Sequence, residues 1–447
     1  MTSCQIFGAT HINLSKIPSC MQGDTRSHGL WERSAPPPPP TTTLVDSVEA
    51  DVAVIGAGYT GLSAALHLRT LGADVVVLEG AEIGFGGSGR NVGLVNAGLW
   101  VRPETVVRAL GSGFGPRLVA QLGSAPRLVF ELIERHGIQC DAVQNGTLHC
   151  AVGEAGWREV SERARQWQAL GAPVELLDAA ATSNKVGSRA YRGALLDRRA
   201  GTIQPLAYAR GLAAAAALAG ARIFTRSPVQ SMADEHGRWS LKTPAGRVKA
   251  TWVIVATNAY SSGVWPQLRR EVVALPYFNL ATRPLPESQR TTILPERHGV
   301  WDTRQVLSSL RLDASGRLIF GSIGALRGNG LSIHRSWGHR ALAKLFPALR
   351  GIDFEHEWHG RIGMTSDAIP RFHNLARNTI SISGYNGRGI APGTAFGRDL
   401  AHLAAGRITP ADLSIPATPL TTPTFRTLRE AGYEIGAQLV HLTAARF

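Results

Sequence analysis

The chain has 447 residues, 44% hydrophobic and 18% charged, enough to bury a large core in more than one domain. Lys plus Arg number 47 against 33 Asp plus Glu, a formal net charge of +14, yet the arginines are scattered in runs no longer than Arg198-Arg199 or Arg269-Arg270. A nucleic-acid binder would cluster that charge, so no nucleic-acid partner is expected. The cysteines, Cys4, Cys20, Cys140 and Cys150, show no CxxC spacing, which excludes a zinc site, a redox pair or a disulfide framework as the expectation. No metal site is expected.

Residues 1–45 read as a loosely ordered extension, with five consecutive prolines in "SAPPPPPTTT" (34–43). There is no charged start followed by an apolar run, and no apolar stretch of spanning length. A soluble cytoplasmic protein without a membrane span is the expectation.

Order begins at "EADVAVIGAGYTGLSAALHLRTLGADVVVLEG". Val52–Ile55 reads as a strand, and Gly56, Gly58 and Gly61 give GxGxxG spacing. Gly56 allows the tight turn, Gly58 close approach to a pyrophosphate, and Gly61 close packing of helix on strand. The diphosphate would rest on the helix N-terminus. Gly72 reads as the helix stop, Val75–Leu78 as a second strand. Glu79 follows it, where a carboxylate accepts a hydrogen bond from a ribose 2′-OH, which favours FAD or NAD over NADP.

"GFGGSGRNVG" (84–93) leaves the carboxyl end of that second strand, the edge where ligands bind in such sheets. Its glycines let backbone N–H groups approach a flat ligand. Arg90 is placed to neutralise phosphate or hold a carboxylate, with Ser88 and Asn91 as hydrogen-bonding partners.

Further on, 125–138 and 156–172 read as helices, 205–224 as an alanine-rich helix followed by a strand, and 250–260 as a short buried strand. Residues 270–330 hold several strand-like runs. Ile380–Ser383 reads as a strand entering the turn Gly384–Gly389, then a helix from about Thr394. Free N–H groups there would face negative charge on a ligand. The whole is expected to be α/β: a Rossmann-type dinucleotide-binding domain with an inserted α+β substrate domain on a mixed or antiparallel sheet. The nucleotide domain is placed at 46–104, 190–268 and 356–415, the substrate domain at 105–189 and 269–355, and a tail at 416–447.

Taken together, "VIGAGYTGLSAALHL", "VVVLEG", "GFGGSGRNVG", "GTIQPLAYARGLAAAA", "VIVATNAY", "GRLIFGS", "WHGRIGMTSDAIPRF" and "GYNGRGIAPGTAFGRDLA" resemble the FAD-dependent D-amino-acid-oxidase-like (DAO) superfamily. Within it the resemblance is to the gamma-glutamylputrescine oxidoreductase branch. It covers roughly 45–410 and implies a glutathione-reductase-like FAD domain. It implies that Gly56, Ala57, Gly58, Tyr59, Thr60 and Gly61 cradle the FAD diphosphate and that Glu79 binds the adenosine ribose. Ser88, Gly89, Arg90 and Asn91 would lie along the cofactor, Val229 would touch the adenine side, and Thr257, Gly384, Asn386, Gly387, Gly389 and Ile390 would complete the cofactor site. Val92 departs from the family's usual glycine. Some relatives attach flavin to a cysteine near 361–366; "RIGMTS" has none, so noncovalent FAD is expected.

The resemblance further implies oxidation of a C–N bond of a small amine or amino acid to an imine that hydrolyses, with electrons passed to O2 or another acceptor. The cofactor carries that chemistry, so no Ser/His/Asp constellation is needed. Arg311, Trp358, Tyr385 and Tyr59 are the candidate substrate contacts; His149, His359 and His373 read as surface or supporting residues. Rival readings are an amine dehydrogenase using another acceptor, a non-catalytic FAD-binding scaffold or sensor, and a flavoprotein acting on RNA, which the scattered arginines disfavour.

Overall fold

The computed structural model describes residues 28–261 and 263–444. Expectations for residues 1–27 lie outside this range.

Ser47–Ile55 lies at the centre of an eight-stranded sheet. It pairs in parallel with Val75–Leu78 on one side (Val52↔Val75) and Arg247–Val255 on the other (Ala53↔Val253). Arg222–Phe224 extends one flank and Thr379–Ser383 the other, again in parallel. Val52, Ala53, Val54 and Val75–Leu78 are all buried. Burial on both faces requires such an unbroken apolar run rather than alternation.

A second eight-stranded sheet runs in the order Phe354–Met364, Val273–Pro284, Arg317–Ile323, Ser308–Leu312, Gly299–Asp302, Thr147–Ala151, Gly193–Asp197, Val174–Leu177. Its pairings are antiparallel except that of Gly299–Asp302 with Thr147–Ala151. The expected fold class therefore holds. Two strands cross the expected domain limits. Gly193–Asp197 belongs to the second sheet, and so does Phe354–Met364, whose Trp358 pairs with Asn279.

The helices Tyr59–Thr70 and Ile390–Ala404 lie against each other with no room for side chains between them. A Cβ on Gly397 would stand 2.5 Å from the Thr60 carbonyl oxygen. Ser63 closes the contact by donating to the Thr394 carbonyl at 2.7 Å. The second helix starts at Ile390, four residues before the expected Thr394, because Pro392 sits in its first turn, where no N–H is required of it. The helix expected at 125–138 is the end of a longer one, Pro103–Arg135, broken at Gly111.

Two terminal segments depart from expectation. Residues 28–45 are not loose: Leu30–Ser34 is a helical turn, and Leu30, Trp31 and Leu44 are buried. Trp31 fills a pocket with Leu206, Ala281, Ile319 and Trp358, and apolar burial of that size outweighs the cost of ordering the segment. The C-terminal tail contains a helix, Arg426–Thr443, docked on Val273–Pro284 and Asn329–Leu345. Among the described residues no helix is long and apolar enough to cross a membrane.

Candidate active site

A cavity of about 1180 Å³ opens at the carboxyl ends of the parallel strands and runs to a face of the second sheet. That exceeds the range typical of sites for one drug-sized ligand, so it has space for a dinucleotide and a further small molecule.

At one end the GxGxxG turn follows its expected geometry. Gly56 has φ +107°, a left-handed conformation that favours glycine, and its N–H donates to the Leu78 carbonyl at 2.8 Å. A Cβ on Gly61 would lie 2.0 Å from the Gly56 carbonyl oxygen, so only glycine lets the helix approach. The helix N-cap is Gly58, which has no side chain to satisfy the first N–H groups. Ser88 Oγ accepts one of them, from Tyr59 at 3.1 Å. Glu79 is half-buried beside this turn and accepts from the N–H groups of Ala57 (2.8 Å) and Ala81 (2.9 Å). Burial pushes its carboxyl pKa up, and those backbone donors oppose the shift.

The loop 84–93 is rigid by construction. Asn91 Nδ2 donates to the carbonyls of Gly87 (2.9 Å) and Ser88 (3.0 Å) and to the Tyr59 hydroxyl (3.1 Å), while its Oδ1 accepts from the Gly93 N–H at 2.8 Å. The Tyr59 hydroxyl in turn donates to the Ser88 carbonyl at 2.5 Å. Arg90 sits at the centre, 4% exposed, its guanidinium 4.6 Å from the centroid of the Phe85 ring. Its Nε and Nη2 have no hydrogen-bond partner. Burial lowers the Arg90 pKa, which a hydrogen bond with Tyr260 opposes, and a buried guanidinium with two nitrogens lacking an acceptor is costly unless something arrives to pair with them.

On the opposite wall, Thr379–Ser383 leads into Gly384, Tyr385, Asn386 and Gly387, and the helix Ile390–Ala404 begins with Gly389 as an N-cap lacking a side-chain bond. Asn386 has φ +52°, and its Oδ1 accepts from the Thr365 N–H at 2.8 Å, holding the turn open. Tyr385 joins the two glycine motifs through a 2.7 Å hydrogen bond to Thr60 Oγ1. Two helix N-termini thus face one cavity that also holds a guanidinium with two unpartnered nitrogens, an arrangement suited to a multiply anionic ligand.

Of the expected residues, Gly56, Gly58, Tyr59, Thr60, Glu79, Ser88, Arg90, Asn91, Val229, Thr257, Tyr385, Asn386, Gly387, Gly389 and Ile390 line this cavity. Ala57, Gly61, Gly89 and Gly384 form the backbone supporting it. Two substrate candidates do not belong. Arg311 is fully buried and outside the lining; its Nη1 donates to the Ile203 carbonyl and its Nε to the Leu312 carbonyl at 3.3 Å. Burial pulls its pKa down to about 10. Trp358 is fully buried, set edge-on to Trp31 with centroids 5.4 Å apart, and it too is absent from the lining. Large aromatic and charged side chains on inner strands look the same in sequence whichever face they point to.

The three histidines are buried, not superficial. His373 is bonded to Glu271 at 2.6 Å. Burial, then Arg90, holds His359 at about 4. His149 is held well below its usual value by burial and stacks on Trp301 with ring centroids 3.5 Å apart. None of the three lines the cavity.

Sequence reading missed several lining residues. Arg388, inside the second glycine turn, is buried, donates to the Ala97 carbonyl at 2.6 Å and lies 4.7 Å from the Trp301 ring centroid. Burial lowers its pKa to about 9. Its presence in "GYNGRG" was the available signal. Trp100, Trp301, Tyr260 and Arg361 have no local signal, and Tyr433 comes from the C-terminal helix. Among the described residues, Glu79 is the only carboxylate on the lining, against three arginines, Arg90, Arg361 and Arg388.

Comparison with known proteins agrees with this geometry. Residues 51–403 match the family described as DAO, FAD dependent oxidoreductase. The chain is 35% identical over 403 residues to gamma-glutamylputrescine oxidoreductase of Escherichia coli, covering 88% of this chain and 92% of that protein. It is 32% identical over 363 residues to the probable oxidoreductase OrdL of Haemophilus influenzae, covering 80% and 83%. In fold it is similar to glycine oxidase from Geobacillus kaustophilus, with a TM-score of 0.67, 20% identity, and coverage of 84% of this chain and 99% of that one.

Proposed function

The chain belongs to the DAO family of FAD-dependent oxidoreductases, and from that membership we propose that it holds FAD noncovalently in this cavity and oxidises a C–N bond of a carboxylate-bearing amine, with O2 as electron acceptor. Gamma-glutamylputrescine-like amines and amino acids are the candidate substrates.

The observation that carries the proposal is the buried guanidinium of Arg90, two of whose nitrogens have no partner. The fit to FAD rests on the two helix starts with glycine N-caps, the Gly56–Gly61 cradle and the room available. Gly56, Gly58, Thr60 and Ser88 would hold the diphosphate, Glu79 and Val229 the adenosine, and Arg90, Asn91 and Asn386–Ile390 the ring. No cysteine stands in 361–366 to form a thioether there. FAD supplies the two-electron acceptor for the carbon beside nitrogen.

The chain's own residues supply position and charge. The buried Arg90 and Arg388 favour an anionic group and disfavour a free polycation, since like charge repels where water screens poorly, and the exposed Arg361 adds to this more weakly. The Ile390 helix N-terminus stabilises negative charge that develops nearby. No lining side chain is an obvious base, so the reacting amine is taken to enter neutral.

Oxygen uptake with a panel of gamma-glutamyl amines, N-alkylglycines, amino acids and free diamines tests this reading. Uptake with the carboxylate-bearing amines and little with free diamines is expected. Turnover only with an artificial acceptor would make the protein a dehydrogenase; a preference for free diamines would remove the arginines from substrate recognition.

A further inference from the structure

Among the described residues, one grouping of histidine and carboxylate side chains outside the cavity converges on a point. It is His28, Glu32 and Glu82, with one donor atom from each within 4.8 Å of the others. The helical turn Leu30–Ser34 brings His28 and Glu32 to one side. Glu82 comes from the opposite side, two residues before the glycine loop 84–93. No local spacing announces the set, since its members stand at positions 28, 32 and 82.

The imidazole is locked in place. The His28 side chain is 1% exposed. Its ring lies so close to the loop that a Cβ on Gly89 would stand 2.7 Å from His28 Cδ2, and it meets the Phe85 ring edge-on with centroids 6.4 Å apart. His28 Nε2 lies 3.2 Å from the Gly84 carbonyl oxygen. A carbonyl oxygen only accepts, so Nε2 carries the proton, and in the neutral ring Nδ1 presents a lone pair. That lone pair faces Glu32 Oε2 at 3.4 Å and Glu82 Oε1 at 3.5 Å.

The carboxylate side is also unsatisfied. Arg210 Nη2 donates to Glu32 Oε1 at 2.6 Å, while Oε2 is buried with no hydrogen-bond partner. Burial opposes the charge, but His28 and Arg210 hold the Glu32 carboxyl at about 2, so it is ionised. An imidazolium would close on one carboxylate to about 2.7–2.9 Å. The ring instead stands farther from both, at nearly equal distances. Tetrahedral ligation with bonds of about 2.0–2.1 Å places neighbouring ligand atoms about 3.3–3.4 Å apart, close to the spacing here. A histidine whose second nitrogen donates to a backbone carbonyl is likewise oriented as metal-ligating histidines are.

We propose that His28 Nδ1, Glu32 Oε2 and Glu82 Oε1 bind a divalent cation of the Zn²⁺ class, which clamps the segment 28–34 to the glycine loop. One imidazole and two carboxylates suit such an ion, with a fourth position on the exposed Glu82 side left for water. Ca²⁺ and Mg²⁺ require more oxygen ligands than the site offers. The role is structural. None of the three residues lines the cavity, and His28 reaches the loop behind Arg90 through Gly84 and Phe85. The site is independent of the amine-oxidation reading.

The test uses the full-length protein, stripped of metal with a chelator and titrated with Zn²⁺ against a chromogenic chelator, beside Glu82→Gln and His28→Ala. The wild type should take up one equivalent of Zn²⁺ that excess Ca²⁺ or Mg²⁺ does not displace, and its melting temperature should rise with Zn²⁺. Either substitution should weaken that uptake at least tenfold and remove the rise. If His28→Ala fails to fold, Glu82→Gln, at an exposed position, decides alone. A wild type without that equivalent, no rise in melting temperature, uptake unchanged in a folded variant, or displacement by Ca²⁺ would overturn the proposal. None of these readouts needs turnover, so a failure of the proposed reaction leaves them intact.

Discussion

The indole N–H of Trp358 donates to the backbone carbonyl of Arg90 at 3.1 Å. Asn279 Nδ2 donates to the same oxygen, also at 3.1 Å. The loop is thus held from behind by two strands of the second sheet, while the guanidinium in front has two nitrogens unpaired. Trp358 and Arg90 are coupled, but in opposite senses: one supports the backbone, the other is left for the ligand.

Removing the Arg90 charge should therefore separate stability from function. Arg90→Met keeps an apolar stem and deletes a desolvated cation, so the apoprotein should melt a few degrees higher. FAD affinity should fall at least about tenfold, as expected for loss of a charge-assisted contact. Thermal melts with and without added FAD measure both.

Trp358→Phe should retain the apolar contacts with Trp31 and lose one hydrogen bond. The expected cost is about 1–2 kcal/mol in denaturant unfolding, with FAD still bound. Trp358→Ala should cost about 3–5 kcal/mol because the site is fully buried. A Trp358→Phe variant that folds normally yet loses substrate affinity selectively would return Trp358 to the substrate site.

Within the first glycine motif the two substitutions should differ. A Cβ at Gly61 meets a backbone carbonyl at 2.0 Å, whereas at Gly58 it meets the Ser88 hydroxyl at 2.9 Å, and that side chain can rotate away. Gly61→Ala should abolish FAD retention through purification and Gly58→Ala should reduce it. The ratio of flavin absorbance to protein absorbance reads this directly.

Acid should loosen the C-terminal helix. His441 and His334 are held at about 3 and about 4, in both cases chiefly by burial, against 6.5 for a free imidazole. Below 6.5 the unfolded chain binds protons that the folded chain refuses, so stability is lost as pH falls from 6.5 toward 4. From pH 7 to pH 5 the loss should be on the order of 2 kcal/mol for each histidine, so about 4 kcal/mol for the pair. His441→Asn should flatten the dependence of melting temperature on pH in that window; an unchanged slope would contradict the assignment.

Much of the cofactor end was legible in the sequence because backbone geometry dictates residue type there. Gly56 needs its φ, Gly61 needs to lack a Cβ, and Val75–Leu78 must be apolar throughout. The substrate end was not legible. Arg311 and Trp358 sit on strands where a single step in register decides between core and cavity. The Trp31 segment and the C-terminal helix gain their places only from tertiary packing, and no local motif announces them.

The most direct test is the visible spectrum of the purified protein under anaerobic conditions, before and after addition of a carboxylate-bearing amine, followed by acid precipitation. A two-band flavin spectrum bleached by the amine, with all flavin released into the supernatant, is the predicted result. A protein that stays colourless after incubation with FAD, or flavin that remains with the precipitate, would contradict noncovalent FAD in this cavity. A flavin spectrum that no amine bleaches would contradict the proposed reaction.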